Sequence, residues 1–146
     1  MNPALMDIMP LAAQNYCCSQ ILVLLALRAQ GVENWPLVRA AAGICHGMES
    51  GLTCGILTGG CLVLGLYAGR GREEELAHER QDLIITEFVD WFRERATDTY
   101  GDITCQAILS EGKPDASRCG GLMADAWGQI LTILNEAGID PSEPRE

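Results

Sequence analysis

The residues with the most chemistry in this chain are its seven cysteines, at positions 17, 18, 45, 54, 61, 105 and 119. Thiolates ligate iron and zinc and act as nucleophiles in disulfide exchange. No two of them form a CxxC pair. The local signatures of zinc ribbons, ferredoxin-like clusters and thioredoxin-like dithiols are therefore missing. Any shared site must be assembled by the fold from distant segments. The count is odd, so pairing alone leaves a thiol over. The start, Met1-Asn2-Pro3-Ala4-Leu5-Met6-Asp7, has no basic stretch, and Asp7 and Pro10 interrupt its apolar residues. It does not read as a secretory signal, and a cytoplasmic, reducing location is expected. Cysteines there serve more often as metal ligands or redox groups than as structural bridges.

Helix position singles out four of the seven. Asp102 as N-cap places Cys105 at the third helical position, and Ser117 as N-cap places Cys119 at the second. Cys54 falls in a first turn if Ser50 or Thr53 is the cap. First turns carry free N–H groups and the positive end of the helix dipole, which lower a thiol pKa and favour thiolate or an anionic cluster. Cys18 lies instead on the apolar stripe of its helix, facing the same interior. Cys17 is about 100° further round that helix and cannot easily share one centre with Cys18. Each cysteine taken singly also fits as a small buried hydrophobe, and Cys61 fits best that way. Cys45-His46 precedes the glycine-rich stretch and can supply a fifth ligand, a resolving thiol or a second metal site. His78, in a charged stretch, reads as a surface residue. Asp82, Glu87 and Asp90 read as a solvated face rather than an acid–base constellation.

The elements that must position these thiols are helical almost throughout. Residues 4–30 carry a stripe through Ile8, Leu11, Cys18, Ile21, Leu22 and Leu25, ended by Gly31. Asn34 or Trp35 opens a second helix running to about Ile44, with Pro36 in its first turn. Gly51–Gly69 is nineteen residues without a charge. Six of them are glycine and none is Phe or Trp, which favours a buried central helix over a membrane span. Gly51, Gly55 and Gly59 fall on one face, a ridge that admits another backbone or a bulky inorganic group. A helix is expected from Glu73 to about Arg95, burying Leu76, Leu83, Ile84, Phe88, Trp91 and Phe92. A short one follows from Asp102 to about Leu109, then a turn at Gly112–Asp115. The last helix runs from Ser117 to Gly138. The expected class is all-α, a single compact bundle over 1–139 with about six helices around the glycine-rich one, and a disordered tail over 140–146.

Composition bounds the partners. Apolar residues make up 48 % of the 146, enough for one real core, and aromatics only 5 %. Leu, Ile, Ala and close backbone contacts must build that core. A net charge of −10 repels phosphate backbones and anionic lipid, so no nucleic-acid partner is expected.

Several segments together resemble a known family. Tyr16-Cys17-Cys18-Ser19-Gln20-Ile21-Leu22 resembles the first motif of the C-GCAxxG-C-C family of putative redox-active proteins. Gly47 to Gly59, with Cys54-Gly55-Ile56-Leu57-Thr58-Gly59, resembles its central motif, although Ile56 stands where the family usually has Ala. Tyr100 to Cys105 and Arg118-Cys119 resemble the third and fourth. The resemblance covers about residues 12–137 and implies Cys18, Cys54, Cys105 and Cys119 as the family's four cysteines. Cys17 and Cys45 stand where a polar residue and a glycine are expected. A similar domain of split-Soret cytochromes is associated with an iron–sulphur centre. The haem function is not carried over, because Ala42 removes the CxxCH signature.

The resulting expectation is an iron–sulphur redox protein, serving electron transfer or maturation of a redox enzyme, with a redox partner protein. It is more an electron carrier than a stand-alone enzyme. The cofactor is a 2Fe–2S centre in preference to 4Fe–4S, by analogy with the cytochrome domain. Two alternatives stand beside it. One is a metal-free thiol enzyme or sulphur carrier, with Cys54 or Cys119 as nucleophile and Cys45 or Cys17 resolving. The other is a structural helical protein with a four-cysteine zinc site. The apolar glycine-rich helix is also compatible with a homodimer.

Overall fold

Glycine placement decides how closely the helices approach, and the most extensive contact is between the second and fourth. A computed structural model of the chain describes residues 2–109 and 116–145. Among the described residues there are seven α-helices and no strand. They are α1 (Leu5–Ala13), α2 (Cys18–Gln30), α3 (Trp35–Ala41), α4 (Gly55–Ala68), α5 (Gln81–Tyr100), α6 (Cys105–Leu109) and α7 (Ala116–Glu136). The class is all-α, and α4 is the central helix, packed against α2, α5 and α7. A Cβ on Gly59 would stand 2.7 Å from Ser19 Cα of α2, and one on Gly60 would run into the Phe88 ring of α5. Adjacent glycines thus admit a backbone on one side and an aromatic ring on the other. The core between these helices holds Leu22, Ile56, Leu64, Phe88, Phe92 and Ile130, all fully buried. No described helix is long and apolar enough to cross a membrane.

Several boundaries differ from the sequence expectation, each for a local reason. The stripe over 4–30 is two helices. Asn15 takes a left-handed conformation at φ 70°, and Tyr16 N–H donates to Leu11 O at 3.3 Å. That closes α1 as a left-handed cap does, a role Asn tolerates. Cys17 then becomes the extended N-cap of α2, and Cys18 its first residue rather than a mid-helix one. Gly31 ends α2 at φ 69°, as expected. Asn34 caps α3, accepting from Leu37 N–H at 3.1 Å, and a 3₁₀ turn extends that helix to Ile44.

The helix expected from Glu73 starts eight residues later, at Gln81. Glu75 accepts from Arg72 N–H at 2.9 Å and from Gly71 N–H. His78 N–H donates to Ala68 O at 2.8 Å. These bonds fold residues 69–80 into a reversing loop, because side-chain-to-backbone bonds compete with helix formation. Leu76 is consequently exposed rather than core. α5 runs on to Tyr100 and ends at Gly101, φ 87°. α7 already includes Ser117, so that residue is not its cap. The turn expected at Gly112–Asp115 lies outside the described residues. Residues 140–145, expected as a disordered tail, lie back on the end of α4. Tyr67 Oη donates to Pro141 O at 2.8 Å, and the Arg145 guanidinium donates to Leu76 O at 2.9 Å and to Gly69 O.

The two roles of glycine in α4 give opposite expectations. Gly59→Ala should destabilise by about 1–3 kcal/mol, because Ser19 backbone cannot move aside cheaply. Gly65→Ala, whose Cβ would meet nothing within 4 Å, should stabilise by about 0.5–1 kcal/mol through helix propensity. Urea unfolding of both variants checks this, and shifts of the same sign would contradict it.

Candidate four-thiol site

Four of the helix N-termini converge on one cavity, and each brings a cysteine. Cys18 opens α2, Cys54 is the N-cap residue of α4, Cys105 opens α6, and Cys119 lies in the first turn of α7. All four line a cavity of about 330 Å³. Its remaining wall is mostly apolar, with Ile21, Ile108, Leu109 and Met123, and Tyr16, Cys17 and His46 also border it.

Two of the thiols are registered by backbone. Cys54 N–H donates to Ile103 O at 2.9 Å, and Cys105 N–H donates to Leu52 O at 2.6 Å. This isolated antiparallel bridge, centred on Thr53 and Thr104, fixes α4 and α6 start to start. Thr104, not Asp102, caps α6, with Oγ1 accepting from Ala107 N–H at 3.1 Å. Asp102 accepts from its neighbour Ile103 N–H at 2.7 Å.

A third contact brings in α2. A Cβ on Gly55 would stand 2.7 Å from Cys18 Sγ. The Cys18 sulfur therefore occupies the room that the missing side chain leaves. Of the expected ridge, Gly55 and Gly59 serve α2. Gly51 falls before the helix, and its φ is 70°.

Residues 46–49 form a left-handed turn. His46, Met48 and Glu49 take φ of 53°, 59° and 55°, with Gly47 at 61° between them. Left-handed non-glycine residues in sequence cost about 1–2 kcal/mol each and tend to gather at functional sites. Here the turn aims the His46 backbone N–H at the Cys18 sulfur, which also receives Ser19 N–H. Cys54 sulfur receives Ile56 N–H. The His46 ring is engaged elsewhere, with Nδ1 2.8 Å from Glu49 Oε1. Of this residue the backbone, rather than the imidazole, is what reaches a candidate ligand. The signal in the sequence was the Gly47/Gly51 pair flanking Met48 and Glu49.

Electrostatics reverse one expectation. Helix N-termini alone would lower these thiol pKa values. Burial instead dominates and pushes the Cys18 thiol up to about 12, with the neighbouring Cys119 and Cys105 raising it further against the two N–H bonds. Cys54 is raised as well, first by burial and then by Cys18. Cys105 is raised by burial and by Glu49. The dipoles are present, but desolvating a thiolate beside other thiols costs more. Such a group ionises when a cation replaces the protons.

The other expected residues are placed apart from this set. Cys17 and Cys45 form a disulfide, Cα atoms 5.9 Å apart, so neither thiol is free as an additional ligand in this state. Cys17 does border the cavity beside Cys18, because an N-cap residue is not bound to the helical wheel. Cys61 packs half-buried against the core and does not border the cavity. His78 lies in the 69–80 loop and donates its backbone N–H to Ala68 O at the end of α4. No three described His, Cys, Asp or Glu side chains are gathered tightly enough to hold a single metal ion as they stand.

The family model described as putative redox-active protein (C_GCAxxG_C_C) matches residues 16–133, most of the chain. The chain belongs to this family. The match begins beside Cys17 and Cys18 and spans every cysteine of the cavity. No curated protein and no solved structure matches the chain.

A pH dependence follows for the metal-free protein. The fold keeps Cys18 and Cys54 protonated where the unfolded chain has already ionised. Their contribution is full below the ordinary thiol value of 9.0 and is lost as pH rises from there toward about 12. The urea midpoint should fall over that range, and Cys18→Ala should flatten the fall. An equally steep fall in the variant would contradict burial as its cause.

Proposed function

We propose that this family member holds an iron–sulphur cluster on Cys18, Cys54, Cys105 and Cys119 and acts as an electron carrier or accessory redox protein. The observation that carries this reading is four cysteines, one from each of four helix starts, around a single apolar cavity. An iron–sulphur cluster, when bound, accepts and releases single electrons.

The residues fit such a group in three respects. The donors are all thiols, the set that clusters take. Gly55 leaves Cys18 sulfur room at the floor of the site. Backbone N–H groups of Ser19, His46 and Ile56 already point at two of the sulfurs. In bound form they would stabilise negative charge on those sulfurs and raise the potential. Ile21, Ile108, Leu109 and Met123 would hold water away from the centre. A single zinc ion is supported less well. It needs four ligands at about 2.0–2.3 Å from one point, whereas the thiols are spread around a cavity of about 330 Å³. Both 2Fe–2S and 4Fe–4S centres take four cysteines, and 2Fe–2S remains the preferred expectation.

Cysteine-to-serine variants test the assignment. Cys54→Ser and Cys105→Ser, purified without oxygen, should lose visible absorbance and most of their iron. Cys61→Ser, outside the cavity, should keep both. Full iron occupancy and an unchanged spectrum in Cys54→Ser would overturn the ligand set.

A further inference from the structure

A second redox group stands beside the four-thiol cavity. The Cys17–Cys45 disulfide joins the N-cap of α2 to the residue before the left-handed turn. Its two sulfurs are unequal in access. Cys17 is part-exposed, whereas Cys45 is 4 % exposed. An incoming thiol can therefore reach Cys17 and is shielded from Cys45.

The surroundings of the pair suit both of its oxidation states. Ser19, fully buried, holds its Oγ 3.2 Å from Cys17 Sγ and 3.2 Å from Cys45 Sγ. Its own proton goes to Ala41 O at 2.8 Å, which leaves the oxygen lone pairs toward the sulfurs. Once reduced, the buried Cys45 thiol has two acceptors waiting, Ser19 Oγ and Ala41 O, the latter at 3.7 Å. Cys17 sulfur accepts the backbone N–H of Gln20 in the capping box. A buried thiol without a partner would oppose reduction, and here none is left without one.

We infer that Cys17 and Cys45 form a dithiol–disulfide exchange site, with Cys17 as the attacked and attacking sulfur and Cys45 as the buried resolving thiol. Its substrate class is a dithiol. One substrate thiolate attacks Cys17 Sγ, forming a mixed disulfide, and the Cys17–Cys45 bond breaks. Cys45 leaves as thiolate and takes up a proton. The second substrate thiolate then attacks the substrate sulfur of the mixed disulfide. That closes the substrate disulfide and releases Cys17, which is protonated in turn. Two electrons and two protons pass from substrate to protein, and the reverse sequence reduces a substrate disulfide. The two exchanging sulfurs are not members of the four-thiol set, although Cys17 borders the same cavity.

The test uses the full-length native protein with dithiothreitol as the dithiol and oxidised glutathione as the disulfide, read by alkylation and peptide mass mapping. Dithiothreitol should open the Cys17–Cys45 bond without denaturant, and removal of reductant with an oxidant present should restore it. Reduced Cys45→Ser protein should take up glutathione at Cys17. Reduced Cys17→Ser protein should take up none at Cys45. In the Cys17→Ser/Cys45→Ser double variant these exchanges are lost. A bond that opens only in denaturant would make it a structural staple and overturn the inference. Glutathione at Cys45 rather than Cys17 would overturn it too, as would an oxidised protein in which the two thiols stay unpaired.

Discussion

The start of α2 rests on the glycine face of α4, and the placement of the thiols follows from that contact. Cys18 sulfur rests over Gly55, and Ser19 Cα lies where a Gly59 side chain would be. Side chains at either position would push the two helices apart and draw Cys18 away from Cys54. Glycine in a helix interior costs about 1 kcal/mol relative to alanine. That cost is offset here by a backbone approach that no larger residue allows. Ser19 serves in two directions, since its backbone packs on α4 while its hydroxyl sits between the sulfurs of Cys17 and Cys45. One two-residue segment therefore positions a candidate cluster ligand and the neighbouring disulfide.

Helix dipole and burial compete at the four thiols, and burial prevails for Cys18, Cys54 and Cys105. A thiol meant to react by itself is better placed in an electropositive, part-exposed setting. Buried thiols that raise one another's pKa suit ligands to a shared positive centre, which supplies the charge compensation that water would otherwise give. The dipoles and N–H groups then act on the charge that remains. Cys17 differs from them in being joined to Cys45, and the chemistry inferred for it is exchange rather than ligation.

Much of this was legible in the sequence, because it rested on periodicity and on residue types with narrow uses. The all-α class, the central α4, the Gly31 stop and the Asn34 cap all follow from local rules that the tertiary structure does not override. What escaped depended on competition between local and distant groups. Glu73–Glu75 look like a helix start, but Glu75 is taken up by backbone N–H groups of the preceding turn. Asn15 interrupts a continuous apolar stripe through a single left-handed residue, which periodicity averages away. For the candidate site, helix position and apolar facing picked out Cys18, Cys54, Cys105 and Cys119. They did not foresee that the His46 contribution is its backbone. Nor did they pair Cys17 with Cys45, since residues 28 apart in sequence give no local sign of meeting.

The central claim is that the four thiols share one iron–sulphur cluster. Iron and acid-labile sulphide content, with a visible spectrum, of the parent protein purified without oxygen tests it most directly. Iron and sulphide in equal amounts with a broad visible band are expected, and the iron-to-protein ratio then distinguishes 2Fe–2S from 4Fe–4S. Colourless protein carrying stoichiometric zinc, or protein that takes up neither iron nor sulphide on reconstitution, would contradict it.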